Sequence, residues 1–183
     1  TGLGSAPGSV LINPAGMSMS EFRRLSIASQ YQFRVSDKAS LLHNTIVDTS
    51  RVVAAALSYT FKRENPSRLL LFDDNTTFGL TETNTTHEIG LSLSYGFNRI
   101  FSIGATARWV RYSQKLPDDR PEDIQQRGFD DVAIDVGAIV RPFGGLSIGV
   151  VGYNLKPIQS QLYPQSLGIG LGYSGGPFTI SAD

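Results

Sequence analysis

Residues 89–109 read IGLSLSYGFNRIFSIGATARW, and this stretch decides the fold. Ile89, Leu91, Leu93, Tyr95 and Phe97 alternate with glycine and serine, and after Phe97-Asn98-Arg99 the alternation resumes at Phe101, Ile103, Ala105, Ala107 and Trp109. A period of two puts the bulky residues of each run on one face of a strand. Two such runs around a tight turn make an antiparallel hairpin. The pattern continues outward in both directions. It recurs in LSIASQYQF (25–33), VVAAALSYTF (52–61), VAIDVGAIV (132–140), LSIGVVGY (146–153), SLGIGLGY (166–173) and FTISA (178–182). A weaker run, SLLHNTIVD (40–48), brings the expected strands to nine.

The connections have an order of their own. Asp48-Thr49-Ser50, Phe97-Asn98-Arg99, Pro142-Phe143-Gly144-Gly145 and Ser174-Gly175-Gly176-Pro177 are tight turns. Residues 63–86, 113–128 and 156–164 are longer and polar. Counting SLLHNTIVD as a strand makes short and long connections alternate strictly, which is the arrangement of an outer-membrane β-barrel.

Composition narrows the function classes. Sixteen basic and sixteen acidic residues cancel, so no polyanion-binding surface is advertised, and Arg23-Arg24 is too short a cluster to imply nucleic acid. The absence of cysteine removes disulfides, thiolate metal sites and cysteine nucleophiles. No apolar run approaches the ~18 residues of a membrane-spanning helix, whereas a barrel strand needs only ~9 to 11 alternating residues. Thr1 opens a glycine-rich segment without a basic start and apolar core, so the chain reads as mature or trimmed.

Two barrels fit such strands. A lipocalin-like soluble barrel turns its apolar residues inward around a ligand; a membrane barrel turns them outward to lipid. The second face here is mostly Gly, Ser, Thr and Ala with Gln30, Gln32, Lys62, Glu88, Arg108, Asp135 and Arg141. That set suits a wet lumen, and a soluble surface would carry more Lys and Glu. Aromatics gather near strand ends: Tyr95, Phe97, Phe101, Tyr173 and Phe178 by short turns, Tyr31, Phe33, Tyr59, Phe61 and Trp109 by long loops. Two headgroup-level girdles are the membrane reading. Aromatic plugs at the ends of a sandwich core are the alternative.

Ahead of the first wall strand stands LINPAGMS (11–18). It resembles the Asn-Pro-Ala region of the FadL family of outer-membrane transporters for long-chain fatty acids and other hydrophobic compounds, and of the related PorV-like barrels. VGYNLKP (151–157) is similar to a segment of the PorV-like branch, with Lys156 where that branch usually has Gly. The resemblance implies a fourteen-stranded barrel in which residues 1–21 form a hatch folded into the lumen, carrying Asn13, Pro14 and Ala15 as hatch or gating residues. From the residues alone, Pro14 fixes φ, Gly16 permits a reversal and Asn13 offers hydrogen bonds to the turn. A purely structural turn satisfies the same chemistry. The family's barrel needs more than nine strands, and the last alternating run has no closing turn or terminal aromatic, so a C-terminal part is expected beyond Asp183.

Chemistry is sparse. His43 and His87 lack metal-ligand spacing, so no metal or cofactor is expected. His87-Glu88 among serines raises an outer-membrane lipid hydrolase, but adjacent strand residues point to opposite faces, so no catalytic site is assigned. Arg108 with Asp135, and Lys62 with Glu88, are expected lumen pairs, arguing against a strongly ion-selective pore. In the 63–86 loop, Leu69, Leu70, Leu71 and Phe72 form an apolar patch suited to collecting a hydrophobic molecule, unless they extend a strand or pack on a neighbouring loop. PDDRPEDIQQRGFDD (117–131) reads as a solvated loop whose acids could hold a cation.

Two functions follow for a protein of the Gram-negative outer membrane, lipid-embedded and not an enzyme. One is passive uptake of a hydrophobic small molecule past the hatch. The other is a PorV-like role, binding or assembling protein partners in a secretion or other envelope complex.

Overall fold

The computed structural model describes residues 10–19, 24–35, 38–50, 52–71, 77–98, 100–116, 127–143, 145–156, 158, 163–175 and 178–182, with backbone alone for 68–71, 77–80, 174–175 and 178–182. The protein is all-β. Its strands are β1 (Leu25–Arg34), β2 (Ala39–Asp48), β3 (Val53–Glu64), β4 (Ser67–Leu71), β5 (Thr77–Thr81), β6 (Thr83–Gly96), β7 (Phe101–Lys115), β8 (Gly128–Val140), β9 (Leu146–Tyr153), β10 (Ser166–Gly175) and β11 (Phe178–Ala182). Nine of them form one antiparallel sheet in the order β1-β2-β3-β6-β7-β8-β9-β10-β11. Among the described residues β1 and β11 do not pair, so the sheet is open.

Every run expected from alternation lies in this sheet, including SLLHNTIVD, whose Leu42 and His43 pair with Tyr31 and Gln30 on one side and Phe61 and Thr60 on the other. Several strands outrun their apolar signal. Thr83 to Thr86 and Arg111 to Lys115 continue the β6–β7 ladder with polar residues on both faces, where no apolar alternation can announce a strand.

The strict alternation of connections does not hold. β1 and β2 are joined by residues 35–38, as short as the β2–β3 turn at 49–52, because Arg34 and Ala39 pair and bring the ladder to the tip of the hairpin. The connection after β3 is also not irregular throughout: β4 and β5 pair as a hairpin of their own.

The two faces of the sheet are inverted relative to a water-soluble sheet. The bulky side chains are the exposed ones, Leu91 at 55%, Ile134 at 38% and Ile169 at 63%, while Ser92 and Ser102 between them are fully buried. The small-residue face, here the inner face, is covered by residues 10–19. These include a 3-10 helix, η1 (Pro14–Met19), whose Pro14, Ala15, Gly16, Met17 and Met19 are buried. Met17 and Val10 pack with Val47, Ala54 and Ala56 of β2 and β3. Ala15 and Met19 pack with Ile139 of β8. The remainder of the expected 1–21 segment lies outside the described residues.

Candidate functional site

The site is built where η1 meets the inner face, and its geometry begins with Asn13. Its Oδ1 accepts the Ala15 N–H at 3.1 Å and its carbonyl accepts the Gly16 N–H at 3.0 Å, closing the turn that Pro14 initiates. Its Nδ2 reaches the sheet itself, 3.2 Å from Val150 O on β9 and 3.4 Å from Ala138 O on β8. One buried amide therefore serves both the turn and the wall.

Two glycines make room for this contact. A Cβ on Gly104 would stand 2.5 Å from Ala15 N and Pro14 C, and one on Gly137 would stand 2.1 Å from Asn13 Oδ1. At Gly104 the clash is with backbone, which cannot turn aside; at Gly137 it is with the Asn13 amide, which would have to leave its hydrogen bonds, so the wall is glycine where the turn presses on it. The Ala15 carbonyl is received by hydroxyls: Ser102 Oγ donates to it at 2.8 Å and Ser94 Oγ lies 3.1 Å away. Further out, Arg141 donates to Met19 O at 3.2 Å, and the Tyr153 hydroxyl donates to Ile12 O. The segment is thus bound at both ends and at its centre.

A charged network lies on the same face nearer the long loops. Arg108 Nε and Nη2 donate to Asp135 at 2.9 and 3.2 Å, Nη1 donates to Glu88 at 3.1 Å, and Nη2 also donates to Asn154 Oδ1 at 2.9 Å. Cross-strand spacing explains it: Arg108 stands between β6 and β8, one residue pair diagonal from Asp135. After β9 the backbone turns through Asn154 at φ 52°, a conformation asparagine tolerates. That turn aims the Asn154 N–H at Asp135 Oδ1, 2.8 Å away. Tyr163, further along the same connection, donates to Glu88 Oε1 at 2.6 Å. Burial first, and the Glu88 carboxylate second, hold its phenol above the ordinary range, so it stays a donor. Tyr163 and Ile158 also pack over Phe129, Val110 and Ala133. The β9–β10 connection therefore folds over the inner face from the loop side. Between the N-terminal segment and the wall at this network remains a cavity of about 140 Å³ whose lining includes Val10, Leu11, Glu88, Arg108, Asp135 and Tyr153.

Of the expected site residues, Asn13, Pro14 and Ala15 come together with the wall as described. Leu69, Leu70 and Leu71 are on β4, opposite Gly79, Phe78 and Thr77 in a hairpin separate from the nine-stranded sheet; Phe72 lies outside the described residues. The Arg108–Asp135 pair forms. The Lys62–Glu88 pair does not: Lys62 bridges Glu64 at 2.8 Å, while Glu88 is taken by Arg108 and Tyr163. Glu88 faces inward and His87 outward, against Tyr59 Oη at 3.0 Å, so the two cannot act in one catalytic set. His43 is buried and held by Thr60 at 2.8 Å and Thr45 at 3.2 Å. Among the described residues no three His, Asp or Glu side chains gather as a metal site.

The alternation pattern could not single out Ser94, Ser102, Gly104 and Gly137, since small residues occupy most of the inner face. The contacts of Asn154 and Tyr163 were hidden for another reason: their partners Asp135, Arg108 and Glu88 stand on three different strands, β8, β7 and β6, which only the assembled sheet brings to the β9–β10 connection.

Compared with protein-family models, with curated proteins and with solved structures, the chain matches none.

Proposed function

We propose that this chain contributes the wall and hatch of a bacterial outer-membrane β-barrel, FadL-like with fourteen strands in all, that admits hydrophobic small molecules such as long-chain fatty acids passively. The observation that carries the reading is the inverted sheet: a continuous face of exposed Leu, Ile, Val and aromatic residues, backed from β2 to β9 by a buried face mostly of Gly, Ala, Ser and Thr in which Val47, Val110, Ile139 and Val151 are the large apolar members. Water disfavours so large an apolar surface, and lipid accepts it. From Phe101 to Trp109 the wall strand rises roughly 26 Å at about 3.3 Å per residue, comparable with the apolar band of such barrels once tilted. Tyr95, Phe97 and Phe101 cluster at one end of that span and Tyr59, Phe61 and Trp109 lie at the other.

In this reading the hydrophobic molecule is collected by the β4–β5 hairpin, with Leu69, Leu70, Leu71 and Phe72 as its contacts, and must pass the segment seated on Gly104 and Gly137. No reaction or energy source is involved. Uptake of a long-chain fatty acid into liposomes carrying the full chain, followed with an enclosed fatty-acid-binding dye, tests it. Faster entry than in protein-free liposomes is expected. Entry no faster than the protein-free rate, from correctly inserted protein, overturns the transport reading; a stable protein partner bound over the hairpin would then favour the PorV-like assembly role.

A further inference from the structure

Just beyond the outer aromatic row, the lipid-side face carries three cations. In register across β3, β6, β7 and β8 run Phe61, His87, Arg111 and Asp130, and the next outward row starts at Arg63 and passes Thr85 and Ser113. Lys115 is one step further on β7, on the same face as Arg111. Arg63, Arg111 and Lys115 are all exposed. Among the described residues none of the three has an ion-pair partner. The carboxylate opposite Arg111, that of Asp130, accepts the Trp109 indole N–H instead, and Lys156 takes Asp131 at 2.6 Å. His87 is engaged by Tyr59.

We propose that Arg63, Arg111 and Lys115 form a binding site for the phosphate-bearing headgroup of an anionic lipid, seated against the outer wall above Phe61 and Trp109. The proposal rests on the membrane reading given above, which places this face against lipid. Arg63 is two strands from β7, roughly 10 Å, and Arg111 and Lys115 are roughly 13 Å apart along it. Their stems let the charged heads converge on one headgroup while the methylenes cover apolar wall. Guanidinium groups suit phosphate oxygens, and three cations against the single carboxylate of Asp130 leave the patch net positive, which favours a lipid of net negative charge over a zwitterionic one.

The chain supplies its own reporter, because Trp109 is its sole tryptophan and sits two residues from Arg111 on the same face. The full chain is reconstituted into phosphatidylcholine bilayers containing a minor fraction of phosphatidylglycerol, with bromine on the acyl chains of one lipid or the other, and Trp109 fluorescence is read. Brominated phosphatidylglycerol is expected to quench several-fold more per mole than brominated phosphatidylcholine. The preference should fall toward parity with rising salt and in the R63Q/R111Q/K115Q variant, each lost cation lowering it by up to about five-fold. Inorganic phosphate should weaken it no more than chloride of equal ionic strength; a specific loss would assign the cations to free phosphate and overturn the lipid site. Equal quenching by both lipids overturns the site and leaves the membrane reading standing. Quenching by neither removes both.

Discussion

Replacing Gly104 by alanine tests whether the Asn-Pro-Ala turn is seated on the wall by lack of a side chain there. The new Cβ would meet Ala15 N and Pro14 C at 2.5 Å and Pro14 O at 2.8 Å, all backbone atoms that have no rotamer to change. Relief requires the turn to move off β7 by about an ångström, and overpacking of this kind costs about 1–3 kcal/mol. The β7 ladder to β6 and β8 is made by main-chain groups that alanine does not disturb, so the cost falls on the segment and not on the sheet. The chain has no cysteine, so Met17→Cys, at a fully buried position in η1, gives a single thiol whose maleimide labelling reports opening of the segment. Against that background Gly104→Ala should raise the labelling rate by roughly 5- to 150-fold, the range that 1–3 kcal/mol converts to. Gly96→Ala is the control, since its Cβ would stand 3.5 Å from Ser18, an ordinary contact. Labelling of the M17C/G104A protein as slow as M17C alone, or a G96A effect as large as that of G104A, would refute the reasoning.

Other expected outcomes follow from the same geometry. Asn13→Asp should open the segment more than Asn13→Ala in the labelling assay, because it turns a donor that serves Ala138 O and Val150 O into a carboxylate facing two carbonyls. Arg108→Ala should lower stability in denaturant titrations by about 3–5 kcal/mol, leaving Glu88 and Asp135 together without their cation, whereas the combined E88Q/R108M/D135N variant should recover most of that loss. Serine at Leu69, Leu70 and Leu71 should raise the half-saturating fatty-acid concentration in the liposome assay roughly five-fold or more while leaving the circular dichroism of the sheet unchanged.

The wall was legible in the sequence because alternation is a local signal: each of Ile89, Leu91 and Leu93 declares its face by the identity of its neighbours. The same signal disappears where both faces are polar, which is why the outer reaches of β6 and β7 read as loop. It also cannot count ladder hydrogen bonds at a hairpin tip, so the long β1–β2 connection that strict alternation implies is in fact residues 35–38. The Arg108–Asp135 pair could be found by hairpin counting, since both residues belong to adjacent strands joined by one connection. Lys62 was misassigned because Glu64, two residues on along the same face, is nearer than any cross-strand acid. Asn13 was legible only as a turn former. That its amide also reaches Val150 depends on where the whole segment lies, which no local pattern records.

The way the segment is held has a consequence for passage. Among the described residues six donated hydrogen bonds from side chains fasten it to the sheet and its margins: Asn13 to Ala138 and Val150, Ser102 to Ala15, Ser94 with its one proton between Ser18 and Ala15, Arg141 to Met19, and Tyr153 to Ile12. At a net of about 1 kcal/mol each, released to water, they favour the seated state by roughly 6 kcal/mol, a ratio on the order of 10⁴. Burial of Met17 against Val47, Ala54 and Ala56 adds to it. A hatch that opened by thermal fluctuation alone would therefore be open too seldom to set a useful flux. In the transport reading the entering molecule has to bind the displaced arrangement better than the seated one, since a ligand shifts an equilibrium only by its differential affinity. The surface best suited to supply that difference is the one the segment now covers. If Met17 and Ala15 withdraw, two apolar patches are uncovered, Val47, Ala54 and Ala56 on β2 and β3 and Ile139 on β8, where an acyl chain can replace the contacts the segment gives up. Addition of fatty acid should then accelerate labelling of Met17→Cys in a saturable manner, and a labelling rate indifferent to fatty acid would separate the hatch from the transport path.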